Sequence, residues 1–134
     1  MNVDIGEELP PLKINVSRNL VVRYAGASND FNPIHHSDRA AKAVGMPGVI
    51  AHGMWTMGAG LRIVTDWVKD PSKVISYTAR FTKPLVVPDS EEGVTVEVSA
   101  KVVNLDADVA SVEISAICGE DKLLSAAKVK VRID

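Results

Sequence analysis

Between Ser28 and His36 the chain gathers side chains able to exchange protons: Ser28-Asn29-Asp30-Phe31-Asn32-Pro33-Ile34-His35-His36. Asp30 and His35 stand five positions apart across a proline, so both side chains could face one pocket. A carboxylate is a base, and an imidazole gains and loses a proton near neutral pH, so the pair suits general acid–base chemistry. Asn32 could hold the carboxylate through hydrogen bonds. A plainer reading fits the same residues, with Asp30 and Asn32 making Asx turns and His35 a partly exposed loop histidine. The pattern alone leaves both open.

A second cluster follows at Ala51-His52-Gly53-Met54, where a long helix should begin. The first turn of a helix carries unpaired N–H groups and partial positive charge, which favour an anion. Gly53 has no side chain to obstruct a ligand oxygen, so its N–H suits the stabilisation of an enolate-like oxyanion. Gly53 also fits a simple packing role, and by position His52 reads as a capping or core residue.

The elements that must hold these residues divide the chain into a mostly helical first half and a second half of strands. Leu12–Val16 suits a short strand, and Ser17 an N-cap for a helix with Leu20, Val21, Tyr24 and Ala25 on one face. Asn32-Pro33 keeps the following loop from continuing as α-helix. Ser37 caps a short helix over Asp38–Val44, which Gly45 and Pro47 end. From Gly53 to about Lys69, apolar residues fall on nearly every side, which predicts a buried helix. Gly58 and Gly60 each cost that helix about 1 kcal/mol relative to alanine, a cost that close approach of neighbouring backbone would offset.

After Asp70-Pro71 the period becomes two. Ile75, Tyr77, Ala79 and Phe81 alternate with polar residues, as do Val94 to Val102, Val112 to Cys118 and Ala127 to Ile133. Strands of this kind bury one face and wet the other, as in antiparallel sheets. An antiparallel sheet covered by an apolar helix is a two-layer α+β arrangement. One modest sheet covers such a helix incompletely, and its edges need pairing or protection, so a dimer is expected.

A chain of 134 residues fits one domain, taken here as 1–134. Apolar residues make up 46% and charged residues 24%, and the mean hydropathy is +0.10, which excludes a disordered chain. The net charge of −2 and the absence of a basic stripe argue against nucleic acid as partner. One cysteine, Cys118, allows no internal disulfide. No secretory signal is visible, and the stretch around Gly53–Val68 is broken by Arg62 and Asp66 and too short for a membrane span. A cytoplasmic location is expected.

At the two clusters the sequence resembles the MaoC-like dehydratase family, which includes (R)-specific enoyl-CoA hydratases and (3R)-hydroxyacyl-ACP dehydratases. The family motif Asp-x-Asn-Pro-[Ile/Leu]-His stands here as Asp30-Phe31-Asn32-Pro33-Ile34-His35. Ala41-Lys42-Ala43-Val44-Gly45 and the helix-opening His52-Gly53-Met54 follow it in the family's order. Tyr24 to Ser28, Arg80 to Pro84 and Ile5 to Pro10 are similar as well, so the likeness covers nearly the whole chain. The runs Met57 to Gly60 and Val64 to Pro71 are most similar to the catalytic B subunit of mycobacterial-type dehydratases. Pro88-Asp89 departs from the Pro-Gly-Asp of many members, which bears on one loop only.

The resemblance implies a hot-dog fold, a curved antiparallel sheet wrapped round one long helix, in a homodimer or a heterodimer with a second hot-dog chain. It implies acyl-CoA or acyl-ACP thioesters as substrates, and neither cofactor nor metal. Asp30 and His35 would hold a water between them, Asn32 would orient their loop, and the Gly53 N–H would polarise the thioester carbonyl. Ser28, Pro33, His52 and Met54 would bind substrate.

Three rival readings touch the same sequence. A thioesterase needs an acid on the long helix, where Asp66 is the only one and lies near the wrong end. A metal site from His35, His36, His52 and Asp38 lacks a helical His-x-x-x-His spacing, and adjacent histidines point apart. A non-catalytic acyl-binding subunit should have lost Asp30 or His35, and both are present. Lys69, Lys73, Arg80, Lys83 and Lys122 suit carrier phosphates or a plain solvated surface.

Overall fold

The computed structural model describes residues 1–134. The chain runs β1 (Leu12–Val16), α1 (Arg18–Ser28), a 3-10 turn (Pro33–His35), α2 (Asp38–Ala43) and α3 (Gly53–Val68). It continues with a 3-10 turn (Pro71–Lys73), β2 (Val74–Phe81), β3 (Val94–Asp106), β4 (Val109–Cys118), β5 (Asp121–Lys122) and β6 (Leu124–Arg132). The strands form one antiparallel sheet in the order β1-β3-β4-β6-β2, with the short β5 paired to β4. This is the α+β hot-dog arrangement, a curved sheet holding one long helix.

The period-two pattern fixes which face meets α3. Val96, Val98, Ala100 and Val102 of β3 are buried, as are Ala110, Val112, Ile114 and Ala116 of β4. So are Ala127, Val129 and Val131 of β6, with Ile63, Val64 and Val68 of α3 in the same core. Cross-strand pairs such as Val98 with Ala116 and Val112 with Val129 keep this face apolar across the sheet. Gly60 lets α3 come close: a Cβ there would lie 3.2 Å from the Tyr77 hydroxyl and 3.4 Å from Leu124 Cδ1. The Tyr77 hydroxyl donates to the Met57 carbonyl at 2.8 Å, tying β2 to the helix.

Three expectations need correction. The helix is not buried all round: Met54, Gly58, Arg62 and Asp66 recur every fourth residue on an exposed outer stripe. A Cβ on Gly58 would meet nothing within 4 Å, and one on Gly60 would meet only side chains, so no neighbouring backbone approaches either glycine and side-chain packing accounts for Gly60 alone. In β2, Tyr77 and Ala79 are half-buried as expected, yet Ile75 and Phe81 are more than half exposed. The cause is two register shifts against β6, at Val74/Ser76 and Thr78/Arg80, since each break in pairing resets which face a side chain meets.

The helical first half is clipped to the connection between β2 and β3 through Asp38, the first residue of α2. Its Oδ1 accepts from the Val49 N–H at 2.9 Å and from Arg18 Nη2 at 2.8 Å. Arg18 Nε donates in turn to the Val87 carbonyl. The Val49 N–H and the Arg18 guanidinium hold the Asp38 carboxyl below the usual carboxylate range. The clip draws α1, α2 and the segment entering α3 into one frame. No helix is long and apolar enough to cross a membrane.

Candidate active site

Asp30, His35 and His52 are each held by a main-chain contact. Helix α1 ends at Asn29, which adopts the left-handed conformation (φ 58°), and the chain then turns so that the Asp30 N–H still reaches the Ala25 carbonyl. Asp30 Oδ1 accepts from the Asn32 N–H at 3.2 Å, and Asn32 Oδ1 accepts from the Ile34 N–H at 3.2 Å. Two successive Asx turns thus wind the chain into the 3-10 turn, with Pro33 in its first position, where the missing N–H costs nothing. The turn delivers His35 inward and leaves His36 exposed.

The His35 ring is buried, and its Nδ1 lies 2.7 Å from the Ile50 carbonyl. A carbonyl only accepts, so Nδ1 carries the proton and Nε2 of the neutral ring is an acceptor. Nε2 stands 3.9 Å from Asp30 Oδ2. His52 is buried too, and its Nε2–H donates to the main-chain carbonyl of Asp30 at 3.0 Å. The two imidazoles are stacked, with centroids 3.7 Å apart and planes inclined by 21°, and Tyr24 meets His52 edge-on at 4.8 Å.

These groups line a cleft of about 360 Å³ bounded also by Ser28, Gly53, Met54 and Phe81. A larger cavity of about 540 Å³ lies on the outer face of the sheet among Ser99, Lys101, Glu113 and Lys122, away from these groups. No side chain caps α3, so the cleft ends at a helix N-terminus whose first N–H groups have no intrahelical acceptor.

The structure brings six of the eight expected residues to the cleft: Ser28, Asp30, His35, His52, Gly53 and Met54. Asn32 and Pro33 stand behind it. The Asn32 side chain caps the 3-10 turn, and only its N–H reaches the Asp30 carboxylate. Pro33 starts that turn and does not line the cleft. His52 is no side-chain cap, and its contact to Asp30 was not legible from its position. Tyr24 and Phe81 went unassigned to the cleft, because helical and strand periodicity placed both on packing faces.

Asp30, His35 and His52 offer donor atoms within 4.8 Å of one another, a different set from the four residues considered in the sequence. A metal must lie near the plane of each ligating ring, and two stacked, nearly parallel rings do not share such a point. His52 Nε2 is moreover already a donor. Asp66 lies thirteen residues along α3 from Gly53, about 20 Å, and is paired with Arg62 on the exposed stripe. It has no access to the cleft.

The family described as MaoC like domain matches residues 2–117. The chain belongs to that family. This MaoC-like domain is 40% identical over 85 residues to the 3-hydroxyacyl-thioester dehydratase X of Mycobacterium tuberculosis, a match covering 60% of this chain and 29% of the relative. Its fold superposes with a TM-score of 0.95, at 37% identity, on a solved MaoC-like dehydratase, covering 99% of this chain and 41% of the other. A chain of the ChsH1-ChsH2 complex from Mycobacterium tuberculosis matches with a TM-score of 0.86 and 26% identity, over the full length of both. The MaoC-like domain thus spans less than a third of the first relative and less than half of the first structure.

Proposed function

We propose that this chain, as one hot-dog domain over residues 1–134, reversibly hydrates trans-2-enoyl thioesters to (3R)-3-hydroxyacyl thioesters. The observation that carries this reading is the facing pair of acceptors, His35 Nε2 and Asp30 Oδ2, 3.9 Å apart over the cleft. The gap is too long for a direct hydrogen bond and suits a bridging water. An ionised Asp30 only accepts, and so does Nε2 of this tautomer, so the water points one proton at each and turns its lone pairs to the substrate. One member of the pair takes a proton as the water oxygen bonds C3, and the pair delivers a proton to C2. Dehydration reverses both steps.

As C2 becomes nucleophilic, charge develops on the thioester oxygen, and the Gly53 N–H at the uncapped start of α3 would stabilise it. Asn32 would fix the loop, while Ser28, His52 and Met54 would bound the bound substrate. CoA and ACP thioesters share the reacting atoms, and the reading covers both.

The assembly we propose is a pair of hot-dog chains, identical or not. Phe31 and Met54 are 59% and 62% exposed, and the edge strand β2 leaves Ile75 uncovered. Apolar groups so placed are suited to a partner's surface, and the similar chain of the ChsH1-ChsH2 complex was solved together with a second chain. A cytoplasmic location is part of the same reading.

The test is the loss of ultraviolet absorbance of crotonyl-CoA with purified protein, beside Asp30→Asn and His35→Ala. Loss of a positioned acid or base should slow the reaction at least ~10²-fold with folding intact. Folded variants that retain wild-type rates would sink the mechanism.

A further inference from the structure

We propose that Phe81 sets the acyl-length limit of this site, by closing off an apolar cavity that adjoins the cleft at Gly53. The inference rests on the thioester reading above and goes on to substrate selection. Two cavities meet at the first turn of α3. One is the cleft holding Asp30 and His35, and the other, of about 230 Å³, has Ile50, Ala51, Thr56, Leu85 and Leu123 among its walls. All five are less than a tenth exposed, so the second cavity reaches into the edge of the core.

Gly53 and Phe81 are the residues common to both cavities. Three ring carbons of Phe81 lie 3.0 to 3.2 Å from the point a Gly53 Cβ would occupy, so the ring packs flush on the glycine and forms the partition. The ring is not held by the core: Phe81 is the last residue of β2 and 55% exposed. A half-exposed phenyl group can change its χ1 well with small loss of packing, and doing so would join the two spaces.

The chemistry of an acyl thioester matches this layout. Its carbonyl belongs at the Gly53 N–H, and the alkyl chain beyond C3 gains from an apolar space adjoining that residue. With the ring seated on Gly53, the second cavity opens to solvent past Thr82, Lys83 and Pro84 but is cut off from the cleft, so chains beyond a few carbons do not enter it from the reacting end.

The test uses saturated acyl-CoA, which binds without turnover. Calorimetric titration with butyryl-, hexanoyl- and decanoyl-CoA compares wild type with Phe81→Ala and Phe81→Trp. Wild-type affinity should level off after hexanoyl. Phe81→Ala should raise the decanoyl-to-butyryl affinity ratio about tenfold, the effect of burying roughly two more methylene groups. Phe81→Trp should leave the ratio at or below the wild-type value, and Phe81→Leu replaces Phe81→Ala should the latter unfold. An unchanged ratio in the opened variant, or wild-type affinity climbing steadily to decanoyl, overturns the proposal. Crotonyl-CoA turnover alongside an unchanged ratio leaves the thioester reading standing, whereas no binding of any acyl-CoA or of the matching acyl-ACP sinks both.

Discussion

The two ends of α3 are finished in opposite ways. At its C-terminus the chain is sealed by local means: Lys69 turns into the left-handed region (φ 57°) and its N–H returns to the Thr65 carbonyl. Asp70 then accepts from the Ser72 N–H and hydroxyl, which hold its carboxyl below the usual range. At the N-terminus no side chain caps the helix. Two buried histidines and a carboxylate gather there instead, with Met54 and Phe81 exposed beside them. An end closed on itself only stops a helix, while one left open keeps its N–H groups for something else.

The sharpest way to break this contrast is at the open end. His52→Ala removes the donor to the Asp30 carbonyl and one ring of the stack, and should lower kcat for crotonyl-CoA by about tenfold or more through a misplaced Asp30. His52→Gln keeps an N–H donor and should recover part of the loss, whereas equal loss in both variants would reduce His52 to a packing residue. At the closed end, Asp70→Ala should lower Tm slightly and leave kcat and KM unchanged. A change in rate there would erase the distinction between the ends.

Along the helix between them, Gly58→Ala should stabilise the fold by about 0.5 to 1 kcal/mol, since the added methyl meets open space. Gly60→Ala should forfeit that gain, because its Cβ crowds the Tyr77 hydroxyl and Leu124. Urea denaturation of the two variants decides it, and equal midpoints would contradict the packing described.

The smallest effect expected is in acid. Asp38 and Asp70 have folded pKa values below their unfolded ones, so their contribution is present above the unfolded carboxylate pKa. It is lost as pH falls through the lowered folded values. Thermal melts should therefore show Asp38→Asn losing less stability than wild type between about pH 4 and pH 2. Asp38 belongs to the frame of both ends, so its titration should leave the contrast between them intact.

Much of this was legible in the sequence. Strict alternation in β3, β4 and β6 gave the buried face residue by residue, and Ser17, Ser37 and Gly53 marked helix starts correctly. Where pairing slips in β2, alternation failed, and it hid Phe81, since a register shift leaves no mark in composition. The Asp30 and His35 constellation was legible as a pair in one loop. The link from His52 to Asp30 spans 22 residues and runs to a main-chain oxygen, so no side-chain pattern could announce it. The outer stripe of α3 was misjudged because Met54 and Gly58 carry no charge to mark its first half, and only Arg62 and Asp66 mark the second.

The main-chain anchoring of the two imidazoles has a consequence for how such a site tolerates change. His35 is addressed by the carbonyl of Ile50, His52 by that of Asp30, and the Asp30 carboxylate by the N–H of Asn32. Every residue type presents these atoms (proline lacks only the N–H). Substitution at Phe31, Ile34 or Ile50 can therefore retune the walls around the reacting atoms while the geometry of the proton-carrying pair is inherited unaltered.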